Sequence, residues 1–251
     1  MNERKFDGKG AVYAVSRPSY PASMFDALCE KGVLSGDMTA ADIGAGTGIF
    51  TRLLSQYVRR VYAVEPNEEM RLAAEIGDST DNVTFVDGNA EHTSLPNGSV
   101  DVITAAQAFH WFDASAFSVE CKRIFNKNRS NRVVLVWNDR DTSDGLIRAN
   151  FEVNREFCPN FKGSSNGADI DGGVFDFFGG KFELLTFENT VMYGEAAFLQ
   201  RNFSSSYAPK KGDGSFEPYS SALKEVFRRF AENGLIKYPY VTKCYIGKPK
   251  A

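Results

Sequence analysis

Residues 42–48 read DIGAGTG, three glycines at alternate positions directly behind a carboxylate and an apolar run. Gly44, Gly46 and Gly48 have no Cβ, which permits unusual backbone angles and lets a ligand come close to the chain. The amides of such a loop, with the N-terminus of a following helix, favour polar or anionic atoms. Dinucleotide folds space these glycines G-x-G-x-x-G, and the second admits a pyrophosphate. Here the spacing is G-x-G-x-G, and the Asp42 carboxylate is a poor neighbour for a pyrophosphate. It suits a ligand that carries an amino group and a sulfonium, or it caps local amides. The spacing disfavours a nicotinamide cofactor while leaving it open. No Gly-Lys-Ser/Thr follows, so this is not a Walker loop.

A second group of polar residues stands at matching intervals downstream. Glu65 ends VYAVE, and its two oxygens can accept from both hydroxyls of a ribose, a need shared by nicotinamide and adenosylmethionine cofactors. Pro66 fixes the chain beyond it, and Asn67 can cap the next helix. Asp87, followed by Gly88, Asn89, Ala90 and Glu91, takes the same place after a third apolar segment. Asp87 can accept from an adenine amino group, while Ala90 leaves room beside the ring. AQAFHWF at 106–112 follows a fourth such segment. There Gln107 and Ala108 can face the cofactor or align an acceptor, and Phe109, Trp111 and Phe112 can exclude water. Free imidazole titrates near neutrality, so His110 can take a proton from an acceptor, or it is structural. Arg201 and Tyr207, far along the chain, are further candidates for a substrate pocket.

These residues need a scaffold that brings several strand ends to one place. SMFDALCEK, 23–31, reads as a helix ending near Gly32. MTAADIG, VYAVE, VTFVDG, DVITAAQ and RVVLVWN read as strands, with helices over GIFTRLLSQY, NEEMRLAAEI and ASAFSVECKRIF between them. Asp113 is placed to cap the last of these. Strand and helix alternate through residue 138, which predicts a parallel sheet covered on both faces, with its ligand crevice at the carboxyl ends of the strands. Afterwards the order changes. Residues 144–158 include a helix, 159–180 is glycine-rich without clear periodicity and reads as a substrate lid or a long covering loop, and 182–193 has strand character. SSALKEVFRRFAENG supplies a helix stopped at Gly234, and YPYVTKCYIG a final strand.

The motifs DIGAGTG, VYAVEPN, VDGNAE and DVITAAQAFHWF, in that order, resemble those of the class I S-adenosylmethionine-dependent methyltransferases. YAVSRPSYP, SSSYAP and YVTKCYIG extend the likeness to small-molecule enzymes of the trans-aconitate and ubiquinone type. The resemblance implies a Rossmann-like α/β sheet of seven strands in the order 3-2-1-4-5-7-6, one strand antiparallel. It places the methionine part of the cofactor at Gly44, Ala45, Gly46 and Gly48, ribose at Glu65, and adenine at Asp87 and Ala90. It also implies an N-terminal cover, where Tyr13 and Arg17 face the cofactor and Tyr20 the substrate. One domain is expected over 1–251: cover and helix at 1–35, cofactor-binding core at 36–138, substrate cap and sixth strand at 139–215, and last helix and strand at 216–251. The expected reaction is methyl transfer to a small organic acceptor. A nicotinamide oxidoreductase and a non-catalytic adenosylmethionine-binding regulator are the alternatives.

Composition sets the outer limits. The 251 residues are 43% hydrophobic and 24% charged, and 29 basic against 32 acidic side chains leave a net charge of −3. That balance gives no support to a broad nucleic-acid-binding face. No apolar run is long enough to span a membrane, and MNERKFDGKG lacks the apolar stretch of a secretory signal, so a cytoplasmic protein is expected. Cys29, Cys121, Cys158 and Cys244 match no metal knuckle or redox pair, and two histidines are too few for a histidine-based metal centre. No metal is expected, and nothing in the sequence sets an oligomeric state.

Overall fold

The computed structural model describes residues 18–163 and 169–250. Strands β1 (Thr39–Ile43), β2 (Arg60–Val64), β3 (Val83–Val86), β4 (Val102–Ala106), β5 (Arg132–Arg140), β6 (Phe182–Tyr193) and β7 (Ile236–Gly247) form one sheet in the order β3-β2-β1-β4-β5-β7-β6. The first five are parallel, and β7 runs antiparallel to both its neighbours. Every residue of β1 is buried, as a central strand covered on two faces must be.

Alternate side chains feed two apolar layers. Ala41, Ile43, Ile103, Leu135 and Trp137 point into one, and Ala40, Val61, Val102, Val134 and Val136 into the other. Helix α1 (Ala22–Glu30) closes the second layer with Met24, Phe25 and Leu28. The short α2 (Ile49–Leu54) adds Phe50 and Leu54 there, and α3 (Glu68–Ile76) follows β2. Helix α4 (Ala114–Ile124) covers the first layer with Phe117, Cys121 and Ile124, and the Asp113 side chain caps it by accepting from the Ser115 and Ala116 amides.

Residues 170–178 depart from the lid expected over 159–180. Helix α6 (Ile170–Phe178) spans them, and its Phe177 stacks on Phe117, with ring centroids 5.4 Å apart. This half of the stretch is core. Gly172 and Gly173 in mid-helix interrupt the apolar periodicity, which hid the helix from a reading by pattern.

The late strands are longer than the rest. β5 pairs with β7 only as far as Arg140 opposite Tyr240, whereas β6 and β7 stay paired out to Tyr193 opposite Ile236. This extension projects beyond the carboxyl ends of the parallel strands. Helices α5 (Gly145–Phe157), α7 (Glu195–Phe203) and α8 (Phe216–Phe230) pack around it through Leu146, Ile147, Phe198, Leu223, Phe227 and Tyr238, a third apolar cluster. All four cysteines are unpaired. Among the described residues no helix is long and apolar enough to cross a membrane.

Candidate active site

Strand order reverses between β1 and β4, so the segments leaving these two strands diverge and open a crevice. The DIGAGTG loop leaves β1 there. Gly44 and Ala45 donate their amides to the Val64 carbonyl, and the Gly46 amide donates to Glu65 Oε2 at 2.9 Å. Gly44 has φ +71°, and a Cβ on it would stand 2.7 Å from the Ala108 Cβ, so the β1 and β4 exits touch at a point only glycine fits. Gly46 has φ +57°, yet nothing lies within 4 Å of a Cβ placed there. The loop is therefore open on that side.

Glu65 closes the inner wall. Its Oε1 accepts from the Asn67 amide at 2.9 Å, and Asn67 Oδ1 accepts from the Met70 amide, capping α3 as expected. Each Glu65 oxygen thus holds one backbone amide and keeps a second lone pair. Burial pushes the Glu65 carboxyl up, against the pull of the Asn67 and Gly46 amides and of Arg71. Asp42 lies deeper, only 1% exposed. Its Oδ2 accepts from Thr51 Oγ1 at 2.6 Å and its Oδ1 from Thr104 Oγ1 at 2.9 Å. Thr104 is its register partner on β4, a lone hydroxyl in an apolar strand that the sequence reading passed over. Desolvation raises the Asp42 pKa to about 6 although both hydroxyls oppose it.

On the β4 side, Gln107 adopts φ +56°, a left-handed conformation uncommon for a residue with a side chain. Its amide donates to the Val136 carbonyl, and its Nε2 donates to the Asn138 carbonyl at 3.3 Å. Strain of this kind concentrates where a side chain must be aimed. His110 and Trp111 follow in a 3-10 turn with rings 4.8 Å apart, both half-buried.

The remaining expected residues lie at the strand exits, in the apolar layer beneath them and around the β6–β7 extension. Phe109 was expected in the substrate pocket but is 6% exposed and packs against Phe177 at 4.9 Å, a core position. Ala90 was expected beside adenine but has no accessible surface and belongs to the first apolar layer. Asp87 is exposed and pairs with Arg71 at 3.3 Å. Pro66 and Gly88 are half-buried at the second and third exits. Asn89 Oδ1 accepts from the Glu91 and His92 amides, and Glu91 Oε1 accepts from the Asp113 amide, which joins the third exit to the aromatic turn. Tyr20 sits edge-on to Phe50 at 5.0 Å. Arg201 and Tyr207 lie in the cluster around the β6–β7 extension. Tyr13 and Arg17 lie outside the described residues. An unforeseen tie fixes the chain before α1: the Ser19 carbonyl accepts from Asn138 Nδ2 at 3.1 Å and Asn189 Nδ2 at 2.7 Å.

Residues 41–128 match the family model described as a methyltransferase domain. A protein assigned as a methyltransferase in Dictyostelium discoideum is 38% identical over 140 residues, which is 53% of this chain and 49% of that one. An uncharacterized methyltransferase of Mycobacterium bovis is 32% identical over 148 residues, 59% of this chain and 58% of that one. The chain thus spans about half the length of the curated relatives it matches. In three dimensions it is similar to a protein of Anaeromyxobacter dehalogenans assigned as a type II methyltransferase, with a TM-score of 0.68, 23% identity, and 92% and 97% of the two chains covered. That likeness is one of fold. Residues 41–128 form a methyltransferase domain, in a sheet of the class I S-adenosylmethionine-dependent methyltransferase fold. The crevice fits S-adenosylmethionine on its own chemistry. Two buried carboxyls with raised pKa values border it, Glu65 keeps free lone pairs for hydroxyl donors, and the Gly46 side of the loop is open.

Proposed function

We propose that the protein transfers a methyl group from S-adenosylmethionine to a small organic acceptor. The observation that carries this is the convergence of the Gly44–Gly46 loop, Glu65 and the left-handed Gln107 at the β1/β4 switch point. S-adenosylmethionine supplies a methyl carbon on a positively charged sulfur; its transfer breaks one carbon–sulfur bond, forms one bond to the acceptor and releases a neutral thioether.

Glu65 would accept from the ribose hydroxyls with the lone pairs that Gly46 and Asn67 leave free. The charge of Asp42, buried behind the loop, would favour the ammonium end of the methionine moiety. Gln107 and the turn at His110 and Trp111 would position the acceptor and exclude water, which lowers the entropic cost of bringing two reactants into line. An ionised oxygen acceptor needs no base, so on this reading His110 packs and orients. Helices α5 and α7, within the cap expected at 139–215, would cover the acceptor.

Calorimetric titration with S-adenosylhomocysteine and with NADH tests the donor. The product should bind and the dinucleotide should not. Transfer of labelled methyl from S-adenosylmethionine to a panel of small metabolites then tests catalysis. Binding without transfer to any acceptor would favour a regulatory protein, and uptake of the dinucleotide alone would remove the reading.

A further inference from the structure

A polar patch interrupts the second apolar layer. Asn138 on β5, Thr242 opposite it on β7 and Asn189 on β6 stand on the face that carries Val134, Val136, Leu185 and Phe187. Asn138 Oδ1 accepts from Thr242 Oγ1 at 2.5 Å and from Asn189 Nδ2 at 3.1 Å. Asn138 is 9% exposed, and Thr242 has no accessible surface. A buried carboxamide is costly unless its donors and acceptors are met, and a network that meets them fixes one arrangement.

What this network grips is not part of the sheet. Asn138 Nδ2 donates to the Ser19 carbonyl at 3.1 Å, and Asn189 Nδ2 donates to the same oxygen at 2.7 Å. Two side chains on different strands thus converge on one backbone carbonyl ahead of α1. The next residue, Tyr20, lies edge-on to Phe50 of α2, a helix whose N-cap is Gly48 of the glycine loop. The Asn138 carbonyl, in turn, accepts from Gln107 Nε2 at 3.3 Å. One buried residue therefore touches both the left-handed Gln107 and the segment that leads from Ser19 to the helix of the glycine loop. The sheet does not need this tie, because β5, β6 and β7 are already paired through their backbones.

We propose that Asn138 and Asn189 are positioning residues for methyl transfer. Asn138 steadies Gln107, and both asparagines hold the Ser19–Tyr20 segment against the donor crevice, so the lifetime of the bound donor is set in part from β5 and β6. This rests on the methyl-transfer reading above and adds two residues that act on the donor through others. A donor leaves when the groups around it move apart, and a tie that restrains those groups slows departure more than arrival. Thr242 supplies the comparison, because its hydroxyl serves Asn138 Oδ1 and neither Ser19 nor Gln107.

The test uses the full chain loaded with tritiated S-adenosylhomocysteine, released into an excess of the unlabelled compound at about pH 8, where an aspartate is ionised. Asn138→Asp still accepts from Asn189 and Thr242 but has no donor for Ser19 and sets a negative charge beside that carbonyl. It should speed dissociation by about three- to ten-fold, the effect of losing one net hydrogen bond. Asn189→Ala, at a half-buried position, should speed it by about three-fold. Association should change by less than about two-fold in both. The double variant should gain less than the product of the two, since both side chains grip one carbonyl. Thr242→Val should unfold at lower urea yet keep dissociation within about two-fold of the parent. If Asn138→Asp fails to fold, Asn189→Ala decides alone. An unchanged rate in either folded variant, or an equal increase in Thr242→Val, would overturn the role and leave methyl transfer standing. Failure of the unaltered protein to bind S-adenosylhomocysteine would instead remove the donor assignment.

Discussion

Asp42→Asn separates the electrostatic character of the glycine loop from its shape. In the folded chain Asp42 titrates at about 6, against an ordinary value of 3.8, because burial outweighs the hydroxyls of Thr51 and Thr104. From pH 3.8 to about 6 the folded state holds more protons at this site than the unfolded chain does. Its contribution to the free energy of unfolding therefore falls as pH rises through that window and levels off above it. At about 1.4 kcal/mol per pH unit, the penalty present at pH 7 amounts to about 3 kcal/mol. Asparagine keeps the volume and carries no charge: its oxygen can accept from one threonine, and its NH2 can donate to the other hydroxyl. Urea unfolding of the ligand-free protein and variant, in steps from pH 4 to pH 7.5, reads the difference directly. The variant should gain on the parent by about 3 kcal/mol across the window, with most of the gain between pH 4 and 6. A difference that stays constant with pH, with both proteins folded by circular dichroism, would refute the buried ionised carboxylate.

Three further outcomes follow from the same geometry. Glu65→Ala should weaken S-adenosylhomocysteine binding by about 1.5–3 kcal/mol through loss of a charged acceptor, measured by calorimetry on folded protein. Gly44→Ala forces a Cβ to within 2.7 Å of the Ala108 Cβ at a positive φ, so it should destabilise by about 1–3 kcal/mol in urea, and Ala108→Gly in the same chain should restore part of that. His110→Ala should retain measurable methyl transfer to a carboxylate; turnover lower by many orders with both reactants still bound would make His110 an essential base.

The core of the fold was legible because its signals are local. Each parallel strand is a short apolar run bounded by a turn, and the Asn67 and Asp113 caps stand beside the helices they start. The reversal of β7 has no local signal, and the expectation of it came from resemblance. Helix α6 was missed because Gly172 and Gly173 blur its stripe, and α7 because its buried side carries Arg201 and Asn202 beside Phe198. In the crevice, glycine spacing pointed to the loop and to Glu65. Phe109 and Ala90 lie in the core layer beneath the exits, and a residue beside a crevice and one a single position deeper look alike in a string of letters. The Asn138–Ser19–Asn189 tie joins positions far apart in the chain, and only the register of β5, β6 and β7 brings the two asparagines together.

The overhang of β6 and β7 has an engineering consequence. Among the described residues, two paired strands carry the outlying helical lobe out from the sheet, and its side chains settle in a cluster of their own. A graft cut at Arg140 and Gly247 would exchange that lobe, with β6, β7 and the core helix α6, for the matching segment of a relative, while the loop at Gly44–Gly48 stayed as it was. Swapped chimeras of this kind would show whether appetite and chemistry are separable properties of one sheet.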